Sequence, residues 1–380
     1  MRKPLPRIDG RRLPTGNSWS LPNLSCRVDL RLSRAAVESR TVTGRVLEEH
    51  RVESARHRTA WIEAGPKQGP LMIFLHGWPE LGLVWRRQME HFAAQGWRCI
   101  APDMRGYGGS SRPKSIAAYA VRELVGDMVE LHDVLGGAPA VWIGHDWGSP
   151  VAWAMASHHA GRCRGVANLC VPYFARGFAL PTLTVLVDRA LYPIERYPVG
   201  QWDYWLFYRE HFTRAAQEFE ADIAATLALL YRAAPVRTPG QRAFTAEIRA
   251  RGGWFGPARR APVLPRDTNM LDQSDFDALV AAFTATGFAG ADAWYMNDAA
   301  NLAYAAEAPG FGRLTLPVLF IHATHDTVCD TTQSRLAEPM RADCDQLREA
   351  VIEGGHEIML ECPGAVNGAI ADWLAYRSLA

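Results

Sequence analysis

The chain has 380 residues, 48% of them hydrophobic, with 41 basic against 40 acidic side chains and a formal net charge of +1. That balance gives no reason to expect nucleic acid or an anionic membrane as a partner. Seven cysteines are scattered with no C-x-x-C spacing, which argues against a disulfide framework or a zinc site and for a reducing compartment. No apolar run reaches the roughly 18 residues needed to span a bilayer, so a cytoplasmic protein is expected.

Residues 1–40 are rich in Pro, Gly, Arg and Ser and are expected to form a poorly ordered extension. Residues 42–52 and 57–64 are predicted as the first strands, with Gly65-Pro66 as punctuation. Leu71-Met72-Ile73-Phe74-Leu75 is a continuous apolar run suited to a strand buried on both faces. It ends in His76-Gly77-Trp78-Pro79, where ligand-facing backbone belongs in a parallel sheet. Another strand is predicted at 97–101. The Gly-rich loop after it carries no phosphate-binding pattern, and Asp103 and Arg105 are expected to pin it. An amphipathic helix follows over 119–135.

Ala140-Val141-Trp142-Ile143 reads as a strand, Gly144-His145-Asp146-Trp147-Gly148 as a glycine-bracketed turn, and the residues from Val151 as a helix. This is the layout of a nucleophile elbow with aspartate in the position usually held by serine. A carboxylate is ionised at neutral pH and can attack directly, leaving an ester on the enzyme. The plainer alternative is an aspartate that caps the following helix. A strand at 165–171 closes the first half of the core, residues 41–172. From 173 to 309 strand signals are scarce and aromatic, helical patterns dominate, which predicts a helical cap inserted into the core.

The core resumes over 310–380. Its strands at 318–322 and 350–353 are each followed by a candidate partner, Asp326 after the first and His356 after the second. His356 would activate water for attack on the ester, and Asp326 would hold its tautomer. Asp330 is the weaker alternative acid. The backbone amides of Trp78 and Trp147 are expected to form the oxyanion hole. His76, His145 and His325 are expected to be scaffold residues.

The motifs HGWP, DMRGYGGSSRP, GHDWG, the late His-Asp and the Gly-Gly-His resemble the α/β-hydrolase enzymes that use an aspartate nucleophile, a group that includes soluble epoxide hydrolases and haloalkane dehalogenases. The resemblance implies an α/β-hydrolase fold, with a mostly parallel eight-stranded sheet, flanking helices and the cap. Trp202-Asp203-Tyr204 and Ala293-Trp294-Tyr295 look like the two cap sites at which epoxide hydrolases place a tyrosine. The implied pair is Tyr204 and Tyr295, with Tyr208 as the rival of Tyr204. Two phenols suit the oxygen of an opening epoxide, whereas a halide needs no proton. An active site lined by Trp78, Trp147, Phe174, Trp202 and Trp294 is expected to take an apolar epoxide as its small-molecule partner. No metal or organic cofactor is implied, and the protein is expected to be a monomer or homodimer. The alternatives are a haloalkane dehalogenase with the same nucleophile and an inactive hydrolase-like binding protein.

Overall fold

The computed structural model describes residues 38–41, 47–238 and 240–379. The first 37 residues, which hold most of the expected extension, lie outside the described residues, as do 42–46 of the first expected strand. Among the described residues nine strands form one sheet: β1 (Glu38–Thr41), β2 (Glu48–Glu53), β3 (Arg58–Ala64), β4 (Leu71–Leu75), β5 (Arg98–Pro102), β6 (Ala140–His145), β7 (Cys163–Leu169), β8 (Leu314–Ala323) and β9 (Cys344–Ile352). Their order is β1-β2-β3-β5-β4-β6-β7-β8-β9. The expected eight-stranded sheet is therefore present, and β1 adds a ninth strand at its edge. Glu38 pairs with Arg51 and Thr41 with Glu48, so the last residues assigned to the extension belong to the sheet.

Pairing is antiparallel from β1 to β5 and parallel from β5 through β9. The residue patterns follow the layers. β4 and β6 are buried at every position, as required of strands covered on both faces. β2 alternates between buried and exposed positions. The last strand begins at Cys344, six residues before the expected start at 350, because its first part is mostly polar and partly exposed at the sheet edge.

Helices α1 (Arg86–Ala93), α2 (Val121–Val134) and α3 (Gly148–His158) alternate with the strands of the first half. α1 packs on β5, and α3 on β6 and β7. The insertion between β7 and β8 carries α4 (Leu180–Thr184), α5 (Asp203–Glu220), α6 (Ile223–Leu230), α7 (Gln273–Thr286), α8 (Ala289–Asp292) and α9 (Asp298–Ala306). The second half supplies α10 (Glu338–Asp343), α11 (Ile358–Glu361) and α12 (Pro363–Tyr376). α12 packs on β8, β9 and α1.

α5 brings the cap to the site. It is fixed at its start by Asp203, which accepts from the Arg249 backbone N–H at 2.8 Å and from its Nε at 2.7 Å. Its buried face carries Tyr204, Trp205, Phe207 and Tyr208. Among the described residues no helix is long and apolar enough to cross a membrane.

Candidate active site

The turn between β6 and α3 has the elbow geometry. Asp146 adopts φ +44°, a left-handed conformation that costs a non-glycine residue about 1–3 kcal/mol and persists only where the surroundings impose it. The flanking glycines are those surroundings. A Cβ on Gly144 would lie 2.4 Å from Asn168 Oδ1, and one on Gly148 would lie 2.1 Å from the Leu75 carbonyl oxygen. The turn can be this tight only because both side chains are missing. The expected helix-capping alternative is not observed: the α3 N-cap is Trp147 and has no side-chain cap bond. One Asp146 oxygen accepts instead from the Trp78 backbone N–H at 2.7 Å.

Asp146, Asp326 and His356 converge at the carboxyl ends of β6, β8 and β9. His356 Nδ1 lies 2.7 Å from Asp326 Oδ2, and its Nε2 lies 3.5 Å from Asp146 Oδ2. The other oxygen of Asp326 accepts the backbone N–H groups of Val328 at 2.9 Å and Cys329 at 2.8 Å. Burial opposes the charge on all three groups. The two acids are nevertheless held below the ordinary carboxylate value, chiefly by His356. His356 is held well above the ordinary histidine value by the carboxylates on either side. The resting site is thus an imidazolium between two carboxylates. Asp330 is engaged elsewhere, in an ion pair with Arg237 at 2.9 Å.

Behind the triad, His145 Nδ1 lies 2.8 Å from Glu80 Oε1 and its Nε2 lies 2.8 Å from the His356 carbonyl oxygen. Glu80 also accepts the Gly77 N–H at 2.8 Å. Burial, reinforced by the charge of Asp146, pushes the Glu80 carboxyl up to about 8. Burial lowers His76 to about 3, and the neutral ring accepts the Met104 N–H at Nε2, 2.8 Å away. His325 Nδ1 accepts the Arg237 N–H at 3.5 Å. Asp103 accepts the N–H groups of Gly82 and Gly109, and Arg105 donates to both oxygens of Asp127. Ligand atoms of Glu80, His145 and Glu357 lie within 4.8 Å of one another, as do those of His145, Cys170 and His356. The hydrogen bonds of His145 account for much of that closeness.

Tyr204 on α5 and Tyr295, three residues after α8, pack edge to face with ring centroids 5.5 Å apart. Both line the cavity that holds Asp146, Asp326 and His356, whose volume is about 540 Å³. Burial pushes both phenols well above their ordinary value, so they are hydrogen-bond donors at neutral pH.

The alpha/beta hydrolase fold model matches residues 70–363. The chain belongs to the alpha/beta hydrolase fold family. Its relatives include epoxide hydrolase A of Mycobacterium tuberculosis, 35% identical over 86% of this chain and 97% of that protein. The bifunctional epoxide hydrolase 2 of Sus scrofa is 30% identical over 83% of this chain, which spans 53% of that longer protein. Among solved structures, epoxide hydrolase A from Mycobacterium thermoresistibile is 30% identical, with a TM-score of 0.68 over 87% of this chain and 98% of that one. An epoxide hydrolase from an endophytic Streptomyces is 28% identical, with a TM-score of 0.73 over 88% and 97%.

Within this family member the cavity wall differs from the expected one. Trp78 lines it, but Trp147, Phe174, Trp202 and Trp294 do not. Trp202 precedes Tyr204 by two positions and Trp294 precedes Tyr295 by one, and residues at those spacings do not share a helical face. Trp202 is buried elsewhere, and Trp294 Nε1 donates to the Arg105 carbonyl at 3.1 Å. The Trp147 ring stands behind Tyr295, with centroids 5.1 Å apart. Phe174 lines a separate small cleft with Trp153, Tyr173 and Tyr304. Tyr208 shares the face of Tyr204 but is fully buried and outside the wall. Trp254, Phe244 and Leu229 take the missing places. They come from cap turns and the end of α6, where no local pattern signals a cavity. Glu80 and Asp292 are not signalled by the sequence either, because a single acid in a loop, or at the end of a four-residue helix, carries no periodicity.

Proposed function

We propose that the chain hydrolyses an apolar epoxide to a vicinal diol through an alkyl ester on Asp146. The two phenols, packed together in the wall of the cavity that also holds the elbow carboxylate, carry this reading, and the epoxide hydrolases among the relatives support it. Tyr204 and Tyr295 donate hydrogen bonds to the epoxide oxygen. Asp146 Oδ2 attacks a ring carbon, the carbon–oxygen bond breaks, and the released oxygen takes a proton from one phenol. Esterification removes the charge of Asp146, so His356 loses one of the two carboxylates that hold its proton; that proton passes to the phenolate, restoring the phenol, and the neutral imidazole becomes available as a base. It then takes a proton from water, and the hydroxide adds to Cγ of Asp146. The oxyanion forms on Oδ1, which the Trp78 N–H already faces, with the Trp147 N–H as second donor. Collapse releases the diol and restores the carboxylate with one oxygen from water. On collapse the leaving alkoxide takes the proton of the added hydroxide, and His356 keeps the proton taken from water, which restores the resting imidazolium.

Trp78, Phe244 and Trp254 suit an apolar, aromatic-sized substrate. The same reading puts the enzyme in the cytoplasm, in keeping with six free cysteines among the described residues. Single turnover in heavy-oxygen water tests the mechanism: the label should enter Asp146 and not the first diol released. Label in that diol alone means direct attack by water and overturns the reading.

A further inference from the structure

The loop that carries the Trp78 N–H is gripped from the cap at two points. Asp292, at the end of α8, accepts the Trp78 indole Nε1–H at 3.0 Å. Tyr231, which ends α6, donates its hydroxyl hydrogen to the Pro79 carbonyl at 2.8 Å. Asp292 and Tyr231 are both buried, and the mechanism above uses neither. Asp292 sits among aromatic rings: Trp78, its partner, packs against Phe219, Phe288 and Tyr295 at centroid distances of 5.3, 6.5 and 6.3 Å. The second oxygen of Asp292 has no partner among the described residues. An acid in such a place disfavours folding unless something is gained by it. What Asp292 holds is the side chain of the residue whose backbone faces Asp146.

We propose that Asp292 and Tyr231 are positioning residues, through which the cap aims the Trp78 N–H at the oxygen of Asp146 that becomes the oxyanion. The inference rests on the ester mechanism proposed above. The chain of contacts is short. α8 fixes Asp292, Asp292 fixes the indole, and the indole and the Pro79 carbonyl together fix the orientation of the peptide between Gly77 and Trp78. That peptide donates to Asp146 Oδ1. An oxyanion donor acts on charge that develops during ester hydrolysis, so a misaimed donor slows that step more than ester formation. Burial pushes the Asp292 carboxyl well above the ordinary carboxylate value, toward its neutral form. Asparagine reproduces its shape and its acceptor oxygen, whereas leucine keeps only the approximate volume.

The test follows the ester directly in the full-length protein. Native, Asp292→Leu, Asp292→Asn and Tyr231→Phe proteins are mixed with styrene oxide for one turnover and quenched, and the mass of the peptide bearing Asp146 is read against time. In Asp292→Leu the ester should decay about tenfold more slowly, the scale expected of a misplaced catalytic group, while its formation stays within about twofold. Asp292→Asn should restore native decay. Tyr231→Phe, which loses one hydroxyl, should show the same selectivity for decay at smaller size, and it carries the test if the leucine variant does not fold. A third check uses Trp78→Phe, which lacks the indole donor. In that background Asp292→Leu should slow decay no further. Formation and decay slowed alike, or decay unchanged in both Asp292→Leu and Tyr231→Phe, overturns the positioning role while leaving the ester intact. Absence of any mass shift on that peptide, in the native protein as well, overturns the ester mechanism and the positioning role with it.

Discussion

In the proposed mechanism the chemistry turns on how charge is distributed over three side chains. Asp146 holds its charge because His356 is protonated, and His356 is protonated because Asp146 and Asp326 flank it. Asp146→Ala should abolish turnover of any epoxide, and His356→Gln should form the ester and fail to release it, as mass analysis of the Asp146 peptide would reveal. Stability should depend on pH through the same groups. His356 is raised on folding, so its contribution is full below the unfolded value of about 6.5 and is lost as pH rises through the higher folded value. Asp146 and Asp326 are lowered, so theirs is present above about 3.9 and lost as pH falls. The melting-temperature gap between native protein and His356→Gln should therefore shrink as pH rises above neutrality. A gap that stays constant in calorimetric scans would show that His356 does not carry this charge. These three residues were legible in the sequence because each follows a strand signal and their order matches one reaction. The buried acids Glu80 and Asp292 were not, because their importance lies in what touches them.

At the scale of the elements, legibility followed burial. β4 and β6 are covered on both faces and read as unbroken apolar runs, so their ends could be located closely. β9 lies at the sheet edge, where its exposed polar residues masked its first half. Adjacent residues were the other difficulty. Trp202 and Trp294 were grouped with neighbouring tyrosines, but a helical backbone sends such neighbours in different directions. The elbow offers a sharp test of element geometry. Gly148→Ala would set a methyl group against the Leu75 carbonyl, a backbone oxygen of β4 that cannot swing aside as a flexible side chain could. The expected loss is about 1–3 kcal/mol of stability in denaturant titration, as for other overpacked sites, together with loss of activity. A Gly148→Ala protein of native stability and activity would show that the β6–α3 turn is wider than described.

Across the whole molecule, residues of the insertion between β7 and β8 and residues of the flanking halves line the cavity that holds Asp146. Arg237 from the cap and Asp330 from the loop after β8 form an ion pair with both side chains at most 10% exposed. Removal of one partner strands the other, at a cost of about 3–5 kcal/mol for a buried pair. Arg237→Ala should therefore lower unfolding stability markedly, and Asp330→Leu combined with Arg237→Met should recover much of the loss. Equal losses in the single and double variants would show that the pair is not coupled. The cavity itself was the least legible part, since its wall is assembled from Trp78, Leu229, Phe244 and Trp254, segments brought together only by folding. That wall has a practical consequence. Trp78 and Trp254 stack on each other at 5.7 Å, and both line the cavity. Their ultraviolet emission should dim or shift when an aryl group docks and recover when the product leaves, so the protein carries its own clock for each turnover.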